Sequence, residues 1–444
     1  MFIPKNVSYI IDNLYNNDFE GFMVGGCIRD SLLGRIPKDF DIATNALPKN
    51  IIDIFEKTIP TGIKHGTITV LINSIPYEVT TYRIDGEYKN NRSPEQVIFV
   101  NDIQKDLSRR DFTINAMAYN NKYKLIDCFK GREDLKNQII RTVGNSDLRF
   151  KEDALRMLRA IRFATQLNFN IEKETFKSIK RNKYLIQNIS TERIREEFCK
   201  ILLSSKPSRG LILLNKSGLL SIILPEIQNL VEFNQKTPCH NKDIFMHTLD
   251  VVDNIENTLI LKLSALFHDV GKPKFFRLDQ KGIGHFYGYS NESENLAINT
   301  LKRLKFDNNT IKSVSILVKE HMNILVNPKD STIKKLINRV SKDLIFDLYK
   351  LQKADIKSTA PPFLFLNNVD YLEHKTKEFF ETKEPITLKD LNIDGNDLLK
   401  KLNIKPGKTV GIILNKLLDI ILENPALNNK DSLLKLSKEI LDIL

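Results

Sequence analysis

Cysteine is scarce in this 444-residue chain: the four residues Cys27, Cys128, Cys199 and Cys239 lie far apart. No C-x-x-C pair occurs, so the spacing indicates neither a zinc site nor a disulfide framework. Buried or half-buried thiols in a reducing compartment are the expectation. Long apolar runs are missing too, and none reaches the roughly 20 residues of a membrane-spanning helix. Near the N-terminus, Pro4 and Lys5 intervene before any apolar signal core forms. No internal repeat or low-complexity segment is evident. These absences predict a cytoplasmic protein without a membrane partner.

The length is too great for one ordinary domain and predicts two to four. The net charge of +12 suits a polyanionic partner. The abundance of Asn, Ile and Lys is itself a compositional bias, so charge alone identifies none.

The stretch Phe22 to Thr44, FMVGGCIRDSLLGRIPKDFDIAT, organises the rest. Phe22, Met23 and Val24 read as a strand that breaks at Gly25-Gly26. A short helix follows, with Ile28, Leu32 and Leu33 on its apolar face, and Gly34 ends it. Asp39-Phe40-Asp41-Ile42 reads as a second strand. Alternate strand residues share a face, which sets two carboxylates side by side and turns Phe40 and Ile42 to the core. Paired carboxylates repel, and a hard divalent cation such as Mg²⁺ relieves the repulsion. Gly25 and Gly26 let backbone approach a triphosphate, and Arg29 meets its charge. A lone Gly-Gly is usually a turn, and a lone Asp-x-Asp usually a solvated strand end. The joint pattern GG-x-x-R-D then D-x-D, on strand–helix–strand, resembles the signature of the polymerase-β-like nucleotidyltransferases. Its form here is similar to class II tRNA nucleotidyltransferases (CCA-adding enzymes) and bacterial poly(A) polymerases.

Around this core, Asn6 to Asn17 reads as a leading helix and Pro48 opens another through Ile51, Ile52 and Phe55. Thr67 to Leu71 and Ile75 to Tyr82 read as paired strands about an Asn73-Ser74 turn, with Glu78 a candidate third carboxylate or a solvated strand residue. Asp85 to Val97 is polar and aperiodic, a loop by composition; the resemblance implies a role in switching from C to A addition. Thr113 to Ala118 suits a packed helix. Arg109, Arg110 and Asp111 before it read as a salt bridge, or, with the match R-R-D-F-T-x-N-A-M-A, as a motif in which Arg110 binds nucleotide. Leu125 to Asp127 and Ile139 to Val143 read as strands, with a turn at Gly131-Arg132.

From Asp147 onward strand signals stop. Phe150 to Phe163 reads as one helix, with Leu155, Leu158 and Ile161 inward and a ridge of Asp153, Arg156, Arg159 and Arg162. Alone, the ridge is a solvated, salt-bridged face. E-D-x-x-R-x-x-R-A-x-R-F, however, resembles the amino-acid template by which these enzymes choose the base. A carboxylate accepts from the exocyclic amine of cytosine or adenine and Arg donates to the neighbouring ring acceptor, whereas uracil and guanine mismatch both. The resemblance thus implies nucleotide binding by Gly26, Arg29, Arg110, Asp153, Arg156, Arg159 and Arg162, and catalysis by Asp39 and Asp41 with Mg²⁺. Further helices follow over Glu172 to Asn182, Glu192 to Leu203 and Ser208 to Leu220. Arg193 and Arg195 fall in a motif whose role in the family is to brace the neck, and no catalysis is assigned to them.

Five of the seven histidines fall between 240 and 321. His247 on a helix, the adjacent His268-Asp269, then His321 and Asp355 resemble the HD-domain metal phosphohydrolases. That implies a second divalent metal on His247, His268, Asp269 and Asp355, with His321 a further candidate. Gly288-Tyr289 stands where related domains carry Gly-His, which implies a mononuclear or inactive site. Lys400, Lys401, Lys405 and Lys408 suggest contact with an RNA backbone.

The fold expected is α+β: a polymerase-β-like nucleotidyltransferase mixed sheet with helices over 1–145, a helical neck over 146–228, an HD domain over 229–360 and a helical tail over 361–444. The activity the resemblance implies is addition of CCA to the tRNA 3′ end from CTP and ATP, with contacts to acceptor stem and elbow. Poly(A) polymerase, an HD phosphohydrolase and a non-enzymatic tRNA-binding protein are the competing readings. Intact Asp39, Asp41 and Arg29 count against the last.

Overall fold

A computed structural model describes residues 1, 3–86, 88–89, 93–94, 96–237 and 242–444. Cys239, His240 and part of the Asp85 to Val97 stretch lie outside them. The chain forms two compact units, Met1–Gln228 and Asn229–Leu444.

The first unit is built on a seven-stranded mixed sheet. Its strand order is Lys124–Ile126, Ala118–Asn120, Gly21–Val24, Asp41–Thr44, Ile75–Thr81, Thr67–Ile72, Thr58–Gly62. The one parallel pair joins Asp41–Thr44 to Ile75–Thr81, with Ile42 opposite Val79. Gly21–Val24 is buried along its whole length. Helix Lys5–Asn16 covers it with Val7, Ile10, Ile11 and Leu14, one stripe at helical spacing. A Cβ on Gly21 would lie 3.1 Å from Leu14 Cδ1, so the helix sits against bare backbone there. Asn73 and Ser74, both at positive φ, make the tight hairpin between Thr67–Ile72 and Ile75–Thr81.

Several local expectations are corrected. The second strand begins at Asp41, so Asp39 and Phe40 precede it, and Phe40 is half-buried where a core position was expected. Leu32 is exposed and Leu33 half-buried, leaving Ile28 to anchor their helix. Thr113 to Ala118 is a single 3₁₀ turn, Thr113–Asn115, and then a strand. The Thr113 N–H donates to the Arg141 carbonyl, not to a helical neighbour. The Gly131-Arg132 turn is the start of helix Gly131–Lys136, because Asp127 accepts from both backbone N–H groups at 2.7 and 2.8 Å. The stretch Asp85 to Val97 is not simply a loop: Arg83–Asp85 pairs antiparallel with Val97–Phe99, and Tyr88–Lys89 with Ser93–Pro94. Cys27 is buried and Cys199 half-buried as expected, but Cys128 is exposed.

The largest correction concerns Phe150 to Phe163. Helix Ser146–Glu152 stops at Asp153, whose backbone is extended at φ −134° and ψ 104°, and a second helix runs Leu155–Leu167. The Asp153 carboxylate accepts from the Leu155 N–H at 3.1 Å, a side-chain cap that competes with continuous helix. Helices Lys173–Asn182, Thr191–Leu202 and Pro207–Ser217 follow, Gly218 at φ 78° terminates the last of these, and two short helices, Leu220–Ile223 and Pro225–Gln228, end the unit.

Among its described residues, the second unit is helical apart from one short strand pair, Arg277–Leu278 with Gly284–His285. Among the described residues, no helix is long and apolar enough to cross a membrane.

Candidate active site

The first unit encloses a cavity of about 590 Å³ where the sheet meets the helices that follow it. Strand Gly21–Val24 delivers the chain to Gly25, whose φ of 76° favours glycine. A Cβ there would lie 3.1 Å from Arg110 Nη1 and 3.9 Å from Asp41 Oδ2. The turn, one guanidinium and one carboxylate therefore meet at a single point. Asp41 stands opposite Val24 in the strand register, and Glu78 flanks it from the parallel strand, one residue before Val79.

The electrostatics fit a cation. Asp41 opens on the cavity yet is crowded by protein. Burial raises its pKa, Arg110 opposes that, and Glu78 and Asp39 raise it further, so the carboxyl titrates above its ordinary value. Oxygen donors that repel one another in this way suit a hard divalent ion.

The arginines are held by acids behind them. Asp106, buried, takes Arg109 at 2.7 Å and Arg110 at 3.2 Å. Burial works to raise Asp106, but the two guanidiniums outweigh it and keep the carboxyl below its ordinary value. Asp111 takes Arg159 at 2.6 Å and Asn115 Nδ2 at 3.2 Å, while Asn115 Oδ1 accepts from Arg29 at 2.8 Å. Burial again opposes ionisation of Asp111, and Arg159 and Arg156 bring its pKa down to about 2. Phe163 lies under three guanidiniums, with Arg162, Arg29 and Arg159 at 4.0, 5.1 and 5.4 Å from its centroid.

Gly26, Arg29, Asp39, Asp41, Arg110, Asp153, Arg156, Arg159 and Arg162 all line this cavity. Arg156, Arg159 and Arg162 share helix Leu155–Leu167, whereas Asp153 sits in the break before it. Asp153 faces Arg193, at 2.8 Å. Arg156 donates to the carbonyls of Arg149 and Arg109 and pairs with Glu152. Arg162 pairs with Glu197. Sequence reasoning missed Arg193, Asn115 and Phe163 as cavity residues. Asn115 and Phe163 were legible only as apolar-segment positions, and Arg193 lies forty residues beyond its partner in sequence.

In the second unit, His247 from helix Ile244–Asn254, His268 after helix Leu259–Phe267 and Asp355 from helix Ile345–Lys357 converge. Their ligand atoms lie within 4.8 Å of one another. His247 Nε2 is 2.9 Å from Asp355 Oδ1, and Asp269 Oδ2 is 3.3 Å from His268 Nε2. His321 is also near, 3.8 Å from Asp269 Oδ1, with Tyr289 Oη 2.9 Å from its Nε2. Lys400, Lys401, Lys405 and Lys408 are all exposed.

Known proteins fall into line with this geometry. A family profile described as the poly A polymerase head domain matches residues 21–141. One described as an RNA and SrmB-binding site of polymerase A matches 168–230. A third, tRNA nucleotidyltransferase domain 2, matches 286–436. The sheet with its acidic and arginine-lined cavity thus has the nucleotidyltransferase fold. The CCA-adding enzyme of Ligilactobacillus salivarius is 34% identical, over 99% of this chain and 97% of the relative. That of Staphylococcus aureus (strain Newman) is 33% identical over 96% and 95%. The structure of the Bacillus stearothermophilus CCA-adding enzyme in complex with CTP superposes with a TM-score of 0.76 at 27% identity, covering 100% of this chain and 99% of that one. The chain belongs to the CCA-adding enzymes.

Proposed function

We propose that this chain adds CCA to the 3′ end of tRNA from CTP and ATP, by nucleotidyl transfer without a nucleic-acid template and with Mg²⁺ as the metal. The observation that carries the reading is one cavity holding both the Asp39–Asp41 carboxylates and the Asp153–Arg193 pair. Reaction chemistry and base choice can then act on one bound nucleotide.

Asp39 and Asp41 would hold the Mg²⁺, with Glu78 as the flanking carboxylate. Bound there, the ion supplies charge neutralisation of the triphosphate and activation of the terminal hydroxyl for in-line attack on the α-phosphate. Gly25-Gly26 gives the triphosphate close backbone approach. Arg29 and Arg110, held by Asn115 and Asp106, meet its charge without first having to order themselves. Asp153 accepts from the exocyclic amine of C or A, and Arg156, Arg159 and Arg162 donate around it. The four exposed lysines of the tail meet the tRNA backbone.

We assign residues 1–145 to the transferase head, 146–228 to the neck, 229–360 to an HD-type domain and 361–444 to the tail, in a class II enzyme of the bacterial cytoplasm. His247, His268, Asp269 and Asp355 form a second metal site of HD type. Their imidazole and carboxylate donors fit a divalent transition ion, and His268 Nε2 lies 3.3 Å from Asp269 Oδ2 with both side chains buried.

The test is an assay of purified protein with tRNA lacking CCA, ending in C or ending in CC, and each single NTP. Ordered addition of C, C and A is expected. Repeated ATP incorporation on any RNA would instead identify a poly(A) polymerase.

A further inference from the structure

Beside the cavity, the first unit's sheet carries a row of paired hydroxyls to which the chemistry above gives no part. Strand Ile75–Thr81 lies next to Asp41–Thr44, and Thr67–Ile72 and Thr58–Gly62 follow it outward to the sheet edge. Ile42 stands beside Val79, so Asp41 and Glu78 are neighbours, and Glu78 helps to raise the Asp41 pKa. Alternation puts Thr80 on the same face as Glu78. In the next strand Thr69 stands opposite Glu78, and Thr67 opposite Thr80. The hydroxyls mark the common face: Thr67 Oγ1 lies 3.0 Å from Thr80 Oγ1, and Thr69 Oγ1 lies 2.9 Å from Thr61 Oγ1. The intervening Val79, Ile68 and Val70 are buried on the other side. Thr67 and Thr80 are half-buried, whereas Glu78 and Thr61 are exposed.

Threonine is at home on any exposed strand, so its presence alone says nothing. Its protons and its place say more. Each pair holds two hydroxyl protons, and the mutual contact uses one. Among the described residues neither pair has a further hydrogen-bond partner, so one donor per pair is left for a ligand. The three strands contain no lysine or arginine. Arg29 and Arg110 belong to the other side of Asp41: the first follows strand Gly21–Val24, and the second reaches the Gly25 turn at its end. In-line displacement sets the attacking hydroxyl opposite the leaving pyrophosphate. With the triphosphate on the arginine side, the attacking RNA end comes in over Glu78 and the threonines. Thr67 lies two strands from that of Asp41, about 10 Å away, beside the nucleotides just behind the reacting one.

Resting on the transfer reading above, we propose that this threonine row is the track for the single-stranded 3′ end of the tRNA. Its outward hydroxyls donate to phosphate or ribose oxygens of the nucleotides behind the reacting terminus. A neutral hydrogen bond of this kind is worth only about two- to tenfold in affinity, so the strand can shift after each addition.

Two readouts test it, one of them free of catalysis. Equilibrium binding in EDTA compares tRNA ending in CC with the same tRNA lacking CCA. Wild type should prefer the longer RNA, and Thr67→Val combined with Thr80→Val should reduce that preference about two- to tenfold. Valine keeps the shape and removes both partners of the pair, so the urea midpoint should hold. In steady-state addition of A to tRNA ending in CC, KM for tRNA should rise by the same factor while KM for ATP stays at the wild-type value. Serine at both positions should restore it. Thr61→Val, at an exposed position, should act in the same direction on its own. Unchanged RNA preference and unchanged KM for tRNA in both valine variants would overturn the threonine track and leave the transfer reading standing. A wild type that adds neither C nor A would overturn the transfer reading itself.

Discussion

Asp153 and Arg193 face each other as a two-point ion pair, Nη2 to Oδ2 at 2.8 Å and Nη1 to Oδ1 at 3.4 Å, at the break between two helices. Arg193 comes from helix Thr191–Leu202, so the pair ties that helix to the break. It also fixes the rotamer of a carboxylate that lines the cavity.

Base choice should therefore respond to both partners. Asp153→Ala removes the proposed acceptor for the exocyclic amine, worth roughly 1–3 kcal/mol per good base contact, or about tenfold to a hundredfold in preference. Single-turnover incorporation of CTP against UTP should show that narrowing while activity remains. Arg193→Met should narrow the same ratio less, through misorientation of Asp153, and Arg193→Lys should restore part of it. An unchanged CTP-to-UTP ratio in Asp153→Ala returns the pair to a purely structural role.

Asp39→Asn or Asp41→Asn should abolish nucleotide addition while tRNA binding persists. Either substitution takes away one of the two carboxylates proposed to hold the ion, and Glu78, beside Asp41 on the parallel strand, remains in both variants. Gel-shift affinity for tRNA and turnover at saturating Mg²⁺ separate the two effects. Near-normal turnover in either variant would exclude these residues as metal ligands.

Much of the site was legible because its motifs are local. Gly25 to Asp41 spans one strand–helix–strand unit, so residue spacing alone brought glycine turn, arginine and carboxylates to one place. The ridge of Arg156, Arg159 and Arg162 followed from helical periodicity. What failed depends on contacts distant in sequence. Asp153 reads as helical from its neighbours, yet its carboxylate is taken by Leu155 N–H and by Arg193. Thr113 to Ala118 reads as helix from its small residues, yet the sheet claims Ala118, and Gly131 passes so close that a Cβ would lie 2.3 Å from the Thr113 carbonyl oxygen. Propensity has no access to either competitor.

Gly25→Ala should impair the enzyme more than Gly26→Ala. At φ 76° an L-residue is strained by roughly 1–2 kcal/mol, and the new methyl would press on Arg110 at 3.1 Å. A methyl at Gly26 meets only the Arg29 guanidinium, at an ordinary van der Waals distance of 3.6 Å. Nucleotide affinity and turnover measured side by side would check it. Equal behaviour of the two variants would show that the turn tolerates a side chain.

The Asp111–Arg159 pair should make stability depend on acid in a defined window. The Asp111 carboxyl titrates at about 2 in the folded protein against 3.8 for a free carboxylate, burial opposing and Arg159 and Arg156 more than offsetting it. A carboxyl depressed by folding contributes stability fully above the unfolded value and loses it as pH falls through the folded one. Asp111→Asn should thus destabilise the first unit at neutral pH by roughly 1–3 kcal/mol. The lower part of that range is expected, because Arg159 keeps 34% of its side chain exposed and solvent screens the pair. The gap between wild type and Asp111→Asn should stay constant down to pH about 4 and shrink between there and about 2. Urea midpoints for both proteins across that range would measure it. A gap that is unchanged at pH 2.5 would mean that the charge on Asp111 is not what holds Arg159, and with it the cavity wall, in place.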